Sequence, residues 1–217
     1  MTRRQPLSHL RDTASFRRKP GSKAPRSVTL IVCEGETEQE YFKAARIKYG
    51  LTTAEVIVAD NTVGSAPSSV VEYAEERCAE PGGYDHIFCV FDRDDHESFD
   101  RARARIKTLA NRKKKPLPIR EAISIPCFEY WVLLHHVRTD APLERCSDAK
   151  AQVCLRMPDY EKANANIARQ LMTQLDKALS NAKWVEERAE ENNYNPYTSV
   201  HHVFKHFATV ANKVKQA

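Results

Sequence analysis

The chain has 217 residues, a formal net charge of +5 and 41% hydrophobic residues, which indicate a globular protein with one core domain and smaller additions. No apolar run approaches the roughly 20 residues that a membrane-spanning helix needs, and the basic N-terminus lacks the apolar segment of a secretory signal. We therefore expect a cytoplasmic protein with no membrane partner. The six cysteines form no C-x-x-C pair, so we interpret them as reduced thiols rather than as a zinc site.

The positive charge is concentrated at the N-terminus. Residues 1–26 contain eight Lys or Arg residues and one acidic residue, so the rest of the chain has a net charge of −2. This composition predicts a flexible tail. Its basic residues, which include Arg17, Arg18 and Lys19, are candidates for contact with nucleic acid through counterion release. The alternative, a basic tail with no specific partner, stays open.

Strand and helix patterns alternate from residue 28 onward. Runs of β-branched and apolar residues predict strands at 28–32, 56–58, 86–91 and 122–125. Helical spacing of apolar residues predicts intervening helices at 38–49, with Thr37 as the cap, and at 68–80, 97–110 and 128–136. Further helices are predicted at 162–191 and 199–215. The pattern is typical of an α/β protein with a mainly parallel four-stranded sheet flanked by helices, with a core at 27–140 and a helical extension packed on it at 141–217.

Acidic residues follow two of the predicted strands. Glu34 comes directly after the first strand, and Asp92 and Asp94 follow the third in a D-x-D arrangement that directs both side chains the same way if the chain stays extended. Ligands of parallel sheets bind outside the carboxyl ends of the strands. Converging carboxylates suit Mg²⁺ or Mn²⁺, and a metal held there predicts phosphoryl chemistry. The alternative is a solvated acidic turn.

Several motifs in the same order resemble those of the RloB-like family of bacterial Toprim proteins, and the resemblance covers nearly everything from residue 28 onward. They are V-C-E-G-E-T-E with Y-F (32–42), F-D-R-D-D-H (91–96), I-P-C-F-E-Y-W-V-L-L-H (125–135), D-Y-E-K (159–162) and N-P-Y-T-S-V (195–200). The resemblance implies a Toprim-like fold, with Glu34 as general acid/base or metal ligand, Asp92 and Asp94 as the magnesium pair, and Glu38 as a further metal ligand. It also implies an ATPase partner of the ABC or AAA type and a role in anti-phage defence by abortive infection.

Four other positions are candidates for supporting roles. Glu129 follows the fourth strand and either orients a ligand or complements the dipole of the next helix. His96 follows the acidic turn and is a candidate for proton transfer. Lys162 either contacts a phosphate or opens the long helix. A basic loop, which either binds nucleic acid or is simply solvated, consists of Lys113, Lys114 and Lys115.

These residues predict a magnesium-dependent nuclease that hydrolyses phosphodiester bonds in DNA or RNA, with Glu34, Asp92 and Asp94 as its catalytic residues. One alternative is a non-catalytic or partner-activated nucleic-acid-binding subunit of an ATPase complex. Another is a nucleotide phosphotransferase or phosphohydrolase, which would have a small closed pocket. The sequence does not choose between DNA and RNA, because both present the same phosphodiester, and it leaves the oligomeric state open.

Overall fold

A computed structural model describes residues 27–59, 66–94, 97–191 and 193–216. The predicted tail, with Arg17, Arg18 and Lys19, therefore lies outside the described residues, and so does His96.

Five strands and eight helices make up the described fold. The strands are β1 Thr29–Cys33, β2 Ala54–Val58, β3 His86–Asp92, β4 Ile119–Ile125 and β5 Tyr197–Thr198. The helices are α1 Glu36–Lys48, α2 Pro67–Ala79, α3 Phe99–Ala110, α4 Phe128–Leu133, α5 Cys146–Cys154, α6 Ala165–Leu171, α7 Leu175–Glu186 and α8 His201–Gln216.

The strands form one sheet in the order β2-β1-β3-β4-β5. The first four run parallel, and β5 pairs antiparallel with the end of β4. The predicted α/β architecture with a mainly parallel sheet is confirmed, and it is consistent with a Toprim-like fold. The predicted count of four strands was one too low, because β5 has only two residues and so shows no periodicity.

Two helix predictions were wrong in detail. The segment 162–191 is not one helix: α6 and α7 are separated by a 3-10 turn at Met172–Gln174. The side chain of Asn164 caps α6 by accepting hydrogen bonds from the N–H groups of Asn166 and Ile167, so the helix begins only at residue 165. Thr37 does not cap α1, whose N-cap is Gly35.

The sheet has an apolar layer on each face. One layer packs β-strand side chains such as Leu30 and Phe91 against α2 and α3. The other joins Ile31 and Phe88 to α1, α4 and the helices that follow residue 140. Within it Trp131 of α4 stacks on Phe204 of α8, with ring centroids 5.8 Å apart. The C-terminal helices therefore share a core with the sheet.

Glu186, at the end of α7, holds the start of α8. Its Oε2 lies 3.1 Å from Nε2 of His201, and its Oε1 lies 2.7 Å from Nε2 of His202. Of the described helices, none combines the length and the apolar character that crossing a bilayer requires.

Candidate active site

The carboxyl ends of β1 and β3 lie side by side and position Glu34. The N–H of Glu34 donates to the carbonyl oxygen of Val90 (3.0 Å). In return, the N–H of Asp92 donates to Oε2 of Glu34 (3.1 Å). The Glu34 carboxylate is thus held against the end of the neighbouring strand, next to Asp92.

Asp92 ends β3 and is held by the start of α4. Its Oδ2 accepts a hydrogen bond from the N–H of Phe128 (2.8 Å). Its Oδ1 is buried and has no hydrogen-bond partner among the described residues. Buried polar atoms are nearly always satisfied in proteins, so this oxygen is positioned to bind a group that the described part of the chain does not supply.

Glu38 lies in the first turn of α1 and is buried. The turn that carries it has Gly35 at its start, and a Cβ at that position would lie 3.0 Å from Oε2 of Glu38. Gly35 has an ordinary extended φ of −138°, so backbone conformation does not require glycine here. The absence of a side chain instead leaves room for the Glu38 carboxylate.

Glu129, in the first turn of α4, is 2% exposed and has two partners. Nζ of Lys162 lies 2.8 Å from its Oε1, and the hydroxyl of Tyr160 donates to the same atom (3.3 Å). Lys162 lies outside α6, so the alternative in which it opens a helix was wrong. Its amino group is directed to the acidic cluster, where it offsets part of the negative charge.

Four carboxyl groups act on one another in this site. Burial raises the pKa of Glu38 to about 7, and the charges of Glu129 and Glu34 act in the same direction. Burial likewise raises the pKa of Asp92, and the negative charges of Glu38, Glu34 and Glu129 add to this effect. A compact group of acids whose ionisation is disfavoured by burial and mutual repulsion is stabilised by a bound cation.

Asp94 does not share the direction of Asp92 in the way that the D-x-D pattern predicted. Its φ is +33°, so the chain turns at this residue and does not stay extended; that part of the prediction was wrong. The thiol of Cys146, at the start of α5, donates to Oδ1 of Asp94 (3.3 Å). The neighbouring Cys146 and burial raise the pKa of the nearby Cys127 thiol, and the charges of Glu129 and Asp92 act in the same direction.

A cavity of about 420 Å³ opens beside Asp94. Arg93 and Arg145 line it, and neither guanidinium group forms an ion pair with a described residue. The sequence analysis missed both. Arg93 was visible inside the D-x-D motif, whereas Arg145 precedes a helix that no pattern predicted, so no local signal identified it.

The donor chemistry of the carboxyl cluster suits a hard divalent cation, although its oxygens are not gathered as closely as ligands of one ion: among the described residues, the group whose ligand atoms all lie within 4.8 Å of one another is Glu186, His201 and His202. Glu34, Glu38 and Asp92 offer only oxygen ligands, the type that Mg²⁺ and Mn²⁺ prefer, and the unpartnered Oδ1 of Asp92 gives one donor a clear reason to face the ion. Glu129 is already paired with Lys162, which suits it to a supporting position.

The remaining predicted residues lie elsewhere. Lys113, Lys114 and Lys115 are exposed in the loop between α3 and β4, which enters the sheet at the amino end of β4. The carboxyl cluster lies at the opposite edge, so the structure does not bring this basic loop to it.

Comparison with known proteins gives one assignment. Neither the curated proteins nor the solved structures contain a match to this chain. The sequence model described as RloB-like protein matches residues 29–207, a range that contains all five strands and every described residue of the site. The chain therefore belongs to the RloB-like family.

Proposed function

We propose that this protein is a magnesium-dependent nuclease that hydrolyses phosphodiester bonds in nucleic acid. The observation that carries the proposal is the buried group of carboxylates at the carboxyl ends of β1 and β3, in which Oδ1 of Asp92 has no partner among the described residues. A cation would stabilise such a group in its ionised form, and the adjoining cavity, which Asp94 and Glu144 also line, offers the guanidinium groups of Arg93 and Arg145 to an anionic substrate.

Glu34, Glu38 and Asp92 are the residues that would hold the cation. A bound Mg²⁺ or Mn²⁺ would supply polarisation of a phosphate oxygen and a lower pKa for an attacking water. The backbone orients two of these carboxylates in advance: the N–H of Phe128 donates to Asp92, and the N–H of Asp92 donates to Glu34. Preorganised ligands of this kind do not have to be reoriented during the reaction.

Arg93 and Arg145 would bind the substrate strand. Their cavity adjoins Asp94, which follows Asp92 of the buried cluster by two residues. Guanidinium groups bind phosphate oxygens with two parallel hydrogen bonds, and such contacts supply affinity and position without reading the sequence. The cavity thus receives the backbone of DNA or RNA, and selection of particular bases is not part of its chemistry.

Membership of the RloB-like family supports the further proposal that the protein acts with an ATPase of the ABC or AAA type in anti-phage defence. In that case the ATPase controls when the carboxyl site cuts. The test therefore includes the partner.

The test is cleavage of plasmid DNA, single-stranded DNA, transfer RNA and messenger RNA with Mg²⁺ or Mn²⁺, with and without a candidate ATPase partner of the ABC or AAA type. Wild type is compared with Asp92→Asn and with Asp100→Asn, which makes the same chemical change at an exposed position of α3. We expect metal-dependent cutting that Asp92→Asn abolishes and Asp100→Asn preserves.

Cutting that survives in Asp92→Asn would contradict the proposal. If no mixture cuts any substrate, the nuclease proposal is also wrong, and the protein is better described as a nucleic-acid-binding subunit of the ATPase complex. Calorimetric titration with Mg²⁺ in the absence of substrate provides a separate readout, because the loss of a carboxylate ligand should weaken cation binding.

A further inference from the structure

A second charged cavity lies at the edge of the sheet opposite the carboxylates. It has a volume of about 300 Å³. We call it the basic groove and define it by Arg120, Lys205, Lys213, His86 and His206, which all line it.

The groove lies at the amino ends of the parallel strands. His86 is the first residue of β3 and Arg120 the second of β4, while both lysines and His206 come from α8. Asp92 is at the other end of β3. Six residues of extended strand separate the groove from the carboxylates by about 20 Å, so the groove is distinct from the candidate active site.

The groove has three permanent cations, Arg120, Lys205 and Lys213. None of them forms an ion pair with a described residue, and no acidic residue is among the described residues that line the groove. Two carboxylates act on it from outside the lining, Glu186 on Lys205 and Asp85 on His86. Like charges in one cavity repel one another, and an anion bound there would relieve that repulsion.

The two histidines form the wall between these cations. Their ring centroids are 4.2 Å apart, and Nε2 of His206 is 2.8 Å from Oγ1 of Thr29 in β1. Burial lowers the pKa of His206 to about 4, with contributions from His86 and from the positive charges of Arg120 and Lys213. The same two cations act on His86, so they approach the ring pair together.

The chain connectivity favours a polyanion as the occupant. Ser27, which lines the groove, is the residue at which the N-terminal segment joins the fold. That segment, residues 1–26, contains eight Lys or Arg residues and one acidic residue. The groove thus lies where a segment rich in basic residues joins the fold, and this continuity along the chain favours a chain of phosphates over a single small anion.

We propose that the basic groove binds the sugar-phosphate backbone of a nucleic acid, about 20 Å from the site of cleavage. The inference rests on the proposed function, because the polymer bound in the groove is the nucleic acid that the carboxyl site would cut. It adds an anchoring site that contacts the strand away from the scissile bond and so carries affinity rather than chemistry.

The test measures binding by the full chain in EDTA, where no metal-dependent cleavage occurs. The probes are fluorescein-labelled 30-nucleotide single strands of DNA and RNA, followed by fluorescence anisotropy over a range of salt concentrations. The groove variant is Arg120→Ala/Lys205→Ala/Lys213→Ala. Its matched control is Lys113→Ala/Lys114→Ala/Lys115→Ala, which removes the same charge from the exposed loop before β4.

We expect the groove variant to bind at least one probe about 10-fold more weakly at low salt. The slope of log K against log salt should fall by about 2, since each phosphate contact with a single strand contributes roughly 0.7. The loop variant should lose less affinity than the groove variant and keep a steeper salt dependence. If the triple variant does not fold, the double variant Lys205→Ala/Lys213→Ala replaces it, because it leaves Arg120 over the ring of Phe88. This double variant should lower the slope by about 1.4.

Three results would overturn the inference: an unchanged slope in the groove variants, an equal loss in the loop variant, or no binding of either probe by wild type. Displacement of the probes by inorganic phosphate at constant ionic strength would also overturn it, since this marks a small-anion site. The nuclease proposal is tested separately, by Mg²⁺-dependent cleavage in wild type and its loss in Asp92→Asn. A groove variant that loses binding while no mixture cuts would keep this inference and reject the nuclease.

Discussion

Replacing Glu38 with glutamine should stabilise the metal-free protein at neutral and alkaline pH. Burial, together with the charges of Glu129 and Glu34, raises the pKa of Glu38 from 4.5 to about 7. A carboxyl group whose pKa is higher in the folded state than in the unfolded state opposes folding once it ionises. The destabilisation is absent below the unfolded pKa of 4.5, grows as the pH rises towards the folded pKa of about 7 and is constant above it. The pKa difference corresponds to a loss of about 3 kcal/mol in the free energy of unfolding.

Mg²⁺ should reverse the order of stability, so that wild type becomes more stable than Glu38→Gln. Protons compete with the cation for the same carboxylates, so Mg²⁺ should raise the unfolding temperature of wild type more at about pH 8 than at about pH 6. Glu38→Gln removes a charged ligand and should show a smaller rise at both values.

The assay is urea unfolding followed by circular dichroism in EDTA at several pH values, with thermal unfolding in Mg²⁺ as the second measurement. Glu187→Gln is the matched control, because the Glu187 side chain is 62% exposed and should make no pH-dependent difference. The prediction is wrong if Glu38→Gln is no more stable than wild type at about pH 8 in EDTA, since ionisation of the buried Glu38 would then not lower the free energy of unfolding.

Three more changes test separate parts of the structure. Gly35→Ala should lower metal-dependent cleavage 10-fold or more with little loss of stability, because its Cβ presses on Oε2 of Glu38 without straining the backbone; unchanged cleavage would contradict this. Lys162→Met should cost about 1–3 kcal/mol in urea unfolding, because it leaves the buried Glu129 without its cation. Adding Glu129→Gln should recover part of that loss, and a further loss in the double variant would refute the pairing. Phe204→Ala should lower the stability of the whole fold by about 3–5 kcal/mol in one cooperative transition, because α8 shares a core with the sheet; a separate early transition in calorimetry would show independent units.

Local sequence patterns identified the sheet and one part of the site. The strand-type runs ending at Cys33 and Phe91 are buried on both faces, and their continuous apolar character is visible without a structure. Because parallel strands present their carboxyl ends at one edge, the sequence predicted that Glu34 and Asp92 lie at the same edge. The sheet order, in which β1 and β3 are neighbours, then places them in contact. The RloB-like motifs added Glu38, which the structure buries beside them.

Other features depended on residues that are distant in the sequence. Lys162 meets Glu129 only because the segment before α6 packs against α4. Asp94 is turned by a positive φ that the D-x-D spacing does not encode, and Arg145 reaches the cavity from the start of α5.

Local apolar patterns and chain order were enough to predict the α/β architecture, a mainly parallel sheet and the acidic residues at the carboxyl ends of its strands. The packed fold was needed to show which charges are buried together, which are paired and which remain open to a ligand. Burial and pairing arise when separate layers pack, as in the basic groove, where β3, β4 and α8 bring Arg120 and Lys213 to one cavity. No segment of the chain contains that arrangement on its own.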